Sequence, residues 1–235
     1  MGKSNNIWMS FSDLMTGLMV IFMFIAIAYI LKVQMAEKSK ESLVSEYKDT
    51  KNAIYLDLTA TFEDKFQQWN MEVGKDLTIR FTNPNIMFEV GQSELTPCFQ
   101  NILNEFFPKY FNVLLQEKYR HSIKEIRIEG HTDDTPIGNT DSYTGNLYLS
   151  QLRSANVLVF FRNTKNYKSL SVEKQRQLQY WITANGLSYG RALDNKKNEV
   201  FISLKPINKD YSRRVEFKII TSSEELIEEI IKKIE

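Results

Sequence analysis

The stretch GHTDDTPIGNTDSYTGNLYLSQLRSANVLVFF, residues 130–161, carries most of the information about the fold. It follows IKEIRIEG at residues 123–130, whose isoleucines fit a strand. A polar loop comes next, and the apolar spacing over residues 147–161 predicts a helix. The stretch therefore places a loop rich in carboxylates between a strand and a helix.

Strand and helix patterns also alternate upstream of this stretch. In chain order, they predict a strand at Leu77–Phe81, a short extended piece at Ile86–Phe88, and a helix that begins at Pro97, is interrupted by Pro108 and resumes over Tyr110–Tyr119. Thr96 is the expected N-cap of this helix, because its hydroxyl can accept a hydrogen bond from the first turn. Pro97 fits the first helical position.

The downstream part of the chain continues the alternation. It predicts a helix over Val172–Ile182, strands at Val200–Leu204 and Arg214–Ile220, and a charged amphipathic helix over residues 224–235. Interleaved elements of this kind predict an α+β domain of two layers with one sheet, which we place at residues 73–223.

A membrane-spanning helix is predicted near the N-terminus. Leu14 to Leu31 are eighteen residues without a charge, long enough to cross a bilayer. No small-residue cleavage site follows, and the apolar run passes into charged helical sequence, so we expect a retained anchor rather than a signal peptide. Residues 1–33 are thus predicted to be a short cytoplasmic tail and a transmembrane helix.

A helical stalk is predicted over residues 34–72. This segment has no Pro, and its apolar residues recur close to helical spacing as far as Trp69. One apolar seam on a long helix generally needs a partner helix, and a second copy of the chain is the economical one. We expect a dimeric stalk in the first half and packing on the globular domain in the second.

Asp13 stands one position before the uncharged run. An aspartate at the centre of a span costs about 2.5 to 3.5 kcal/mol, so ionisable groups there usually serve an ion path. Desolvation raises the pKa of a carboxyl group, which suits a side chain that alternates between charged and neutral forms. The alternative is that Asp13 lies among lipid headgroups as a helix N-cap, as the neighbouring serines allow.

Composition narrows the classes of function. The chain has 235 residues and a formal charge of +1, without the basic excess typical of nucleic-acid binding. Its single cysteine, Cys98, excludes an internal disulfide. His131 beside Asp133 and Asp134 lacks the spaced ligands of a zinc site, and the sequence shows neither a nucleophile paired with a base nor a phosphate-binding loop. We expect no metal, no cofactor, no nucleic-acid partner and no catalysis.

The N-terminal pattern Trp8, Asp13, Leu14, Thr16, Met19 resembles the transmembrane signature of the MotB family, the B-type subunits of ion-driven rotary stators. The resemblance implies that Asp13 binds the translocated ion. Ser12 and Thr16 are possible oxygen ligands for a sodium ion or, alternatively, helix-packing residues. The coupling ion stays open between a proton, which we favour, and sodium.

Three motifs resemble the OmpA-like peptidoglycan-binding domain. They are Phe88, Gly91, Ser93, Leu95 and Pro97 at the entrance; Thr132, Asp133, Gly138, Asn146, Leu149, Ser150, Arg153 and Val157 in the central motif; and Ser212 to Phe217 at the closing strand. The resemblance covers about residues 77–221 and implies a two-layer domain with a mixed sheet. Residues 162–207 form an insertion relative to the family pattern, and its simplest interpretation is a peripheral helix.

The resemblance also implies the roles of four residues. Asp133 would contact the ammonium group and Arg153 the carboxylate of a diaminopimelate stem, a pairing that suits an anion and a planar cationic fork. Thr132 and Asn146 would shape the loop. The alternative is that Asp133 and Arg153 form a structural ion pair.

Together, the resemblances imply a motor subunit in the bacterial inner membrane, with its N-terminus in the cytoplasm and its C-terminal domain in the periplasm. Lysine counts on either side of the span give the opposite orientation by the positive-inside rule. The implied partners are a multi-span A-type subunit, with five copies around two of this chain, a second copy of this chain and peptidoglycan.

The short start MGKSNNI and the sequence SFSDLMTGLM are more similar to the B-type subunit of the Zorya anti-phage system, a MotB relative, than to flagellar MotB. Flagellar MotB usually has a longer basic tail. The alternatives are a flagellar stator subunit, a passive single-pass peptidoglycan tether, and a TolR-like or ExbD-like transducer, although the last class lacks the wall-binding motif.

Overall fold

A computed structural model describes residues 4–138 and 141–222, with side chains from residue 11 onward. The helix predicted over residues 224–235 lies outside the described residues.

The first element is a single long helix, α1, over Ser4–Phe62. It contains a stretch that is long and apolar enough to cross a membrane. The last turns of α1, in the second half of the predicted stalk, pack on the globular domain, because Ile54, Leu58 and Phe62 are fully buried there.

The end of α1 differs from the prediction, which continued the helix to about residue 72. A one-turn 3-10 helix, Glu63–Lys65, follows α1, and the chain then turns at Asn70, whose φ of 47° lies in the left-handed region that asparagine tolerates. Trp69 does not extend the helical stripe; it packs back on Phe62, with ring centres 6.2 Å apart.

Five strands form one sheet, which is mixed as the resemblance implied. They are β1 Met71–Val73, β2 Thr78–Phe81, β3 Ile123–Gly130, β4 Ile182–Gly186 and β5 Val215–Thr221. Their order across the sheet is β1-β2-β5-β3-β4, with β4 parallel to β3 and the other neighbours antiparallel. The central position of β5 places the closing motif beside the strand that leads into the polar loop.

Seven further helices complete the described chain. They are α2 Pro84–Met87, α3 Pro97–Leu114, α4 Ser142–Asn163, α5 Lys165–Ser169, α6 Val172–Trp181, α7 Val200–Ser203 and α8 Lys209–Ser212. A second 3-10 turn lies at Glu117–Tyr119. As predicted, the Thr96 hydroxyl caps α3 by accepting a hydrogen bond from Phe99 N at 3.1 Å.

The two faces of the sheet have opposite character because side chains alternate along each strand. One face packs on α1, α3 and α4 to form the core, where Phe81 and Phe217 contact Phe106 of α3. The other face carries a charged row across four strands, formed in register by Glu72, Arg80, Glu216 and Glu129. This arrangement confirms the predicted two-layer α+β fold.

Two upstream predictions were wrong. Residues 84–87 form α2 instead of an extended piece, because Pro84 takes the first helical position and the Asn83 side chain accepts a hydrogen bond from Asn85 N. Pro108 does not interrupt α3, since the buried aromatic residues on both sides of it, including Phe107 and Phe111, keep the helix packed on the core.

Two downstream predictions were also wrong. Val200–Ser203 is a short helix, whose Phe201 and Ile202 are exposed and have no neighbouring strand to pair with. Residues 162–207 contain more than a peripheral helix, because they supply the edge strand β4. Its parallel partner β3 provides backbone hydrogen bonds that no local pattern reveals.

Candidate peptidoglycan-binding groove

A groove of about 320 Å³ lies at the end of β3, between the loop that follows this strand, the start of α4 and the segment after α2. All four residues proposed for this function line it: Thr132, Asp133, Asn146 and Arg153. Phe88, Thr135, Arg213 and Arg214 are among the other lining residues. The fold thus brings together side chains from three separate segments of the chain.

Asp133 lies deep in this groove and is only 4% exposed. Its Oδ1 accepts a hydrogen bond from Thr135 N at 2.7 Å, which fixes the carboxylate within a turn of the loop. Its Oδ2 lies 3.4 Å from Arg213 Nη1. One oxygen therefore orients the group while the other faces the cationic side chain of Arg213.

Arg153 is held by the segment that follows α2. Its Nε donates to Gln92 O at 2.9 Å and its Nη2 to Glu89 O at 3.4 Å, while the guanidinium carbon lies 4.8 Å from the centre of the Phe88 ring. Burial, with the nearby charge of Arg213, lowers the pKa of Arg153 to about 10, so the group stays charged at neutral pH.

No ion pair joins Asp133 to Arg153 within residues 4–138 and 141–222. The direct ion pair of the alternative interpretation is therefore not formed. Each has its own support, and the two opposite charges stand in the same groove without neutralising each other directly.

The loop itself is tied to the helix by Asn146. Its Nδ2 donates to Thr135 O at 2.8 Å and to Ser142 O at 3.0 Å, so one amide bridges the loop and the first turn of α4. The backbone N of Thr132 donates to Ser188 O at 3.0 Å. Within the described chain, the Thr132 hydroxyl is buried and has no hydrogen-bond partner.

Two glycines let α4 approach the sheet closely. A Cβ atom on Gly130 would lie 2.3 Å from Ser150 O, and one on Gly186 would lie 2.3 Å from Gln151 N. Because the first of these glycines ends β3, the close contact sets the position of the following loop and therefore of Asp133.

Arg213 is the groove residue that the sequence did not single out as functional. It precedes β5 within the closing motif, where the sequence offered only a resemblance to a strand. Its proximity to Asp133 depends on the antiparallel pairing of β5 with β3, which brings residues about 80 positions apart to the same end of the sheet.

The second group of proposed residues lies on α1, far along the chain from the groove. Asp13 is exposed on the helix, and Ser12 and Thr16 are next to it along the same segment. The Thr16 hydroxyl donates to Ser12 O at 2.8 Å, which leaves its oxygen lone pairs available as acceptors. The structure thus gathers these three residues within one turn of helix.

Comparison with known proteins gives relatives along almost the whole chain. The chain is 35% identical over 233 residues to the Zorya protein ZorB of Escherichia coli (strain Crooks), covering 97% of this chain and 94% of that protein. It is 26% identical over 200 residues to a Zorya protein ZorB from another Escherichia coli strain, covering 81% of this chain and 75% of that protein. No family model matches the sequence.

The chain is also similar in structure to MotB-like periplasmic domains. A MotB-like protein of Desulfovibrio vulgaris is 21% identical with a TM-score of 0.47, covering 77% of this chain and 98% of that one. The periplasmic domain of Helicobacter pylori MotB is 16% identical with a TM-score of 0.42, covering 66% of this chain and 84% of that one.

Proposed function

The chain belongs to the ZorB family of Zorya proteins, and from this premise we propose that it is the ion-carrying, peptidoglycan-anchored B-type subunit of a rotary motor complex in anti-phage defence. In this role the protein is a single-pass protein of the bacterial inner membrane. Its N-terminus lies in the cytoplasm and its globular domain in the periplasm. The role requires binding and ion transfer and no catalysis.

The observation that carries this proposal is the continuity of α1. One helix holds Asp13 at the start of its apolar span and continues without a break to Phe62, which is fully buried in the domain that forms the groove. In this proposal, α1 connects the carboxylate at the membrane with the binding groove through one continuous helix, as a subunit that resists torque needs.

Asp13 is the proposed ion carrier. A carboxylate near an apolar span is costly unless a partner or an ion compensates it, and the exposed helix face leaves room for a multi-span A-type subunit. A proton is the favoured ion. Sodium is the alternative, for which Ser12 and Thr16 would add hydroxyl or carbonyl oxygens to the carboxylate.

Asp133 and Arg153 are the proposed grip on the cell wall. Asp133 would receive the ammonium group of a diaminopimelate stem and Arg153 its carboxylate. The unliganded geometry supports this division, because each side chain is oriented by backbone groups and no direct ion pair occupies both. Thr132 and Asn146 are proposed to maintain the shape of the loop.

The proposed complex contains two copies of this chain inside five copies of the A-type subunit. In this assembly the two α1 helices lie side by side, and the peptidoglycan grip holds them while ions pass at Asp13. Ion flow then drives rotation of the surrounding ring relative to the anchored pair.

Phage plating on cells that carry the native operon tests the ion-carrying role. Asp13→Asn keeps the size and polarity of the side chain but removes its charge, and we expect protection to be lost at unchanged membrane abundance. Glu46→Gln removes a carboxylate farther along the same helix and serves as the matched control, with protection retained. Undiminished protection in Asp13→Asn would leave a passive tether as the better description.

A further inference from the structure

A second group of buried polar side chains lies behind the groove, on the charged face of the sheet. Glu129 and His131 come from the end of β3, and Glu216 comes from β5 opposite Glu129. The exposed fraction of Glu129 is 3%, that of His131 is 1% and that of Glu216 is 6%. His131 also lines the groove, but the proposed motor function assigns no role to any of the three side chains.

Several atoms of this group lack the partners that buried polar atoms normally have. Within the described residues, neither ring nitrogen of His131 makes a hydrogen bond, and Glu129 Oε2 makes none. Buried polar atoms without partners cost free energy and call for an explanation, one of which is a bound water molecule or ion. A second cavity of about 340 Å³ is lined by both glutamates.

The spacing of the three side chains fits a common ligand. His131 Nε2 lies 3.8 Å from Glu129 Oε2 and 3.8 Å from Glu216 Oε2, and the three ligand atoms all lie within 4.8 Å of one another. With these distances, a point equidistant from the three atoms lies no more than about 2.5 Å from each, compared with 2.0–2.2 Å for zinc bonds to nitrogen and oxygen.

We propose that Glu129, His131 and Glu216 bind a divalent transition-metal ion, for which Zn²⁺ is the test ion. One imidazole and two carboxylates suit Zn²⁺ or Mn²⁺ better than Ca²⁺ or Mg²⁺, which prefer sites made of oxygen alone.

The protonation of the group agrees with this role. Burial, with the charge of Arg214, lowers the pKa of His131 to about 3, so the imidazole is neutral and its lone pair is available for coordination. Burial and the charge of Glu216 raise the pKa of Glu129. A bound cation would relieve this repulsion between the two carboxylates.

Two neighbouring arginines bind Glu216 through the oxygen that is not a proposed ligand. Arg80 Nε and Arg214 Nε both donate to Glu216 Oε1, at 3.0 and 2.6 Å, so Oε2 remains for a metal, as is usual when outer groups orient a ligating carboxylate. Arg191 Nη1 lies 3.8 Å from Glu129 Oε2, but its side chain is 47% exposed and can turn to solvent. These positive charges weaken the site without blocking it.

The bound ion would cross-link two chain segments next to the groove. His131 directly precedes Thr132 and Asp133, and Glu216 follows Arg213 and Arg214 on β5. An ion held by both strands would therefore fix the two segments that face each other across the groove.

Metal analysis of the full-length chain in detergent tests this proposal. The protein is stripped with a chelator, given Zn²⁺, dialysed, and measured for bound zinc and for thermal unfolding over a Zn²⁺ titration, with Ca²⁺ in parallel. We expect one zinc ion per chain and a Tm that rises with Zn²⁺ but not with Ca²⁺. Glu129→Gln should weaken zinc binding at least about tenfold. His121→Gln, which alters the other histidine, on the exposed surface, is the matched control and should bind as the unmodified chain does.

Two results would overturn the proposal. The first is a wild-type chain that retains no zinc and whose Tm does not respond to it, which would make water the occupant of the cavity. The second is zinc binding that survives Glu129→Gln unchanged, which would place the ion elsewhere. The wild-type measurement decides the matter even if a variant fails to fold.

Discussion

Arg213 Nη1 lies 3.4 Å from Asp133 Oδ2, so the carboxylate proposed to receive a ligand ammonium already faces a cation of its own chain. Arg213 Nη2 also donates to Asp210 Oδ1 at 2.5 Å. The arginine therefore has a second acceptor on the surface and can release Asp133 without losing every partner. A ligand ammonium would compete with Arg213 for the same oxygen.

Removing Arg213 should relieve its competition with a ligand ammonium for Asp133. Arg213→Gln is expected to tighten the binding of a diaminopimelate-containing stem peptide about three- to tenfold, because a charge-assisted contact that must be broken is removed. Titration calorimetry on the purified chain measures the change. Arg176→Gln, an exposed arginine on α6, is the control. Weaker binding in Arg213→Gln would instead show that Arg213 helps to hold the ligand.

The second prediction concerns the attachment of α1 to the domain. Leu58 is fully buried, so Leu58→Ala should lower the free energy of unfolding by about 2 to 5 kcal/mol. Leu56 is 54% exposed on the same helix, and Leu56→Ala should change the stability by no more than about 0.5 kcal/mol. Chemical denaturation of both variants checks the difference. Equal effects would mean that this end of α1 does not pack as described.

The third prediction concerns the close approach of α4 to β3. Gly130→Ala would place a methyl group 2.3 Å from the backbone oxygen of Ser150, so we expect a loss of about 1 to 3 kcal/mol in stability and weaker peptidoglycan binding. In Gly190→Ala the new methyl would make ordinary contacts at 3.4 Å or more, and both properties should stay close to wild type. Thermal unfolding and sedimentation with peptidoglycan measure them.

The fourth prediction concerns acid stability at the junction between α1 and the domain. Hydrogen bonds from Lys118 and Tyr119, at 2.6 and 2.8 Å, hold the pKa of Asp57 below its ordinary 3.8. A lowered pKa means that these contacts stabilise the fold above about pH 4 and lose their effect as the pH falls below that value.

Asp57→Asn should therefore cost up to about 1 kcal/mol at pH 7, a small value because the group is partly solvated. The difference from wild type should shrink as the pH is lowered from 5 to 3. Denaturant unfolding at a series of pH values measures it, and Asp49→Asn, an exposed aspartate farther up the helix, is the control. A difference that stays constant with pH would rule out the charge of Asp57 as its source.

Local sequence patterns correctly predicted those elements whose formation depends on nearby residues. The strand at residues 123–130 and the cap at Thr96 follow from side-chain alternation and from capping chemistry, and both are present. The edge strand β4 was missed because its stability comes from pairing with β3, more than fifty residues away. Val200–Ser203 was assigned to a strand because it is apolar, although its side chains have no sheet to join.

In the candidate groove, too, residues within one sequence motif were predicted and residues brought in by distant strand pairing were not. Asp133 and Arg153 were found because they stand in one continuous motif, and the structure places both in one cavity. Arg213 precedes β5 and Glu216 lies in it, and nothing in the local sequence around them indicates that Arg213 faces Asp133 or that Glu216 faces His131. The expectation of no metal considered only the loop around His131, whereas the proposed metal ligands come from two strands.

Because α1 is continuous, it fixes the angle between Asp13 and the groove as well as the distance between them. Each residue of an α-helix turns the chain by about 100° and advances it by about 1.5 Å. The direction in which Asp13 projects from the helix axis is therefore coupled to the orientation of the groove. Adding a single residue between positions 40 and 50 would rotate the globular domain by more than a quarter turn relative to Asp13, while adding seven would nearly restore its original orientation. The number of residues in α1 therefore sets the angle between Asp13 and the groove as well as the distance between them.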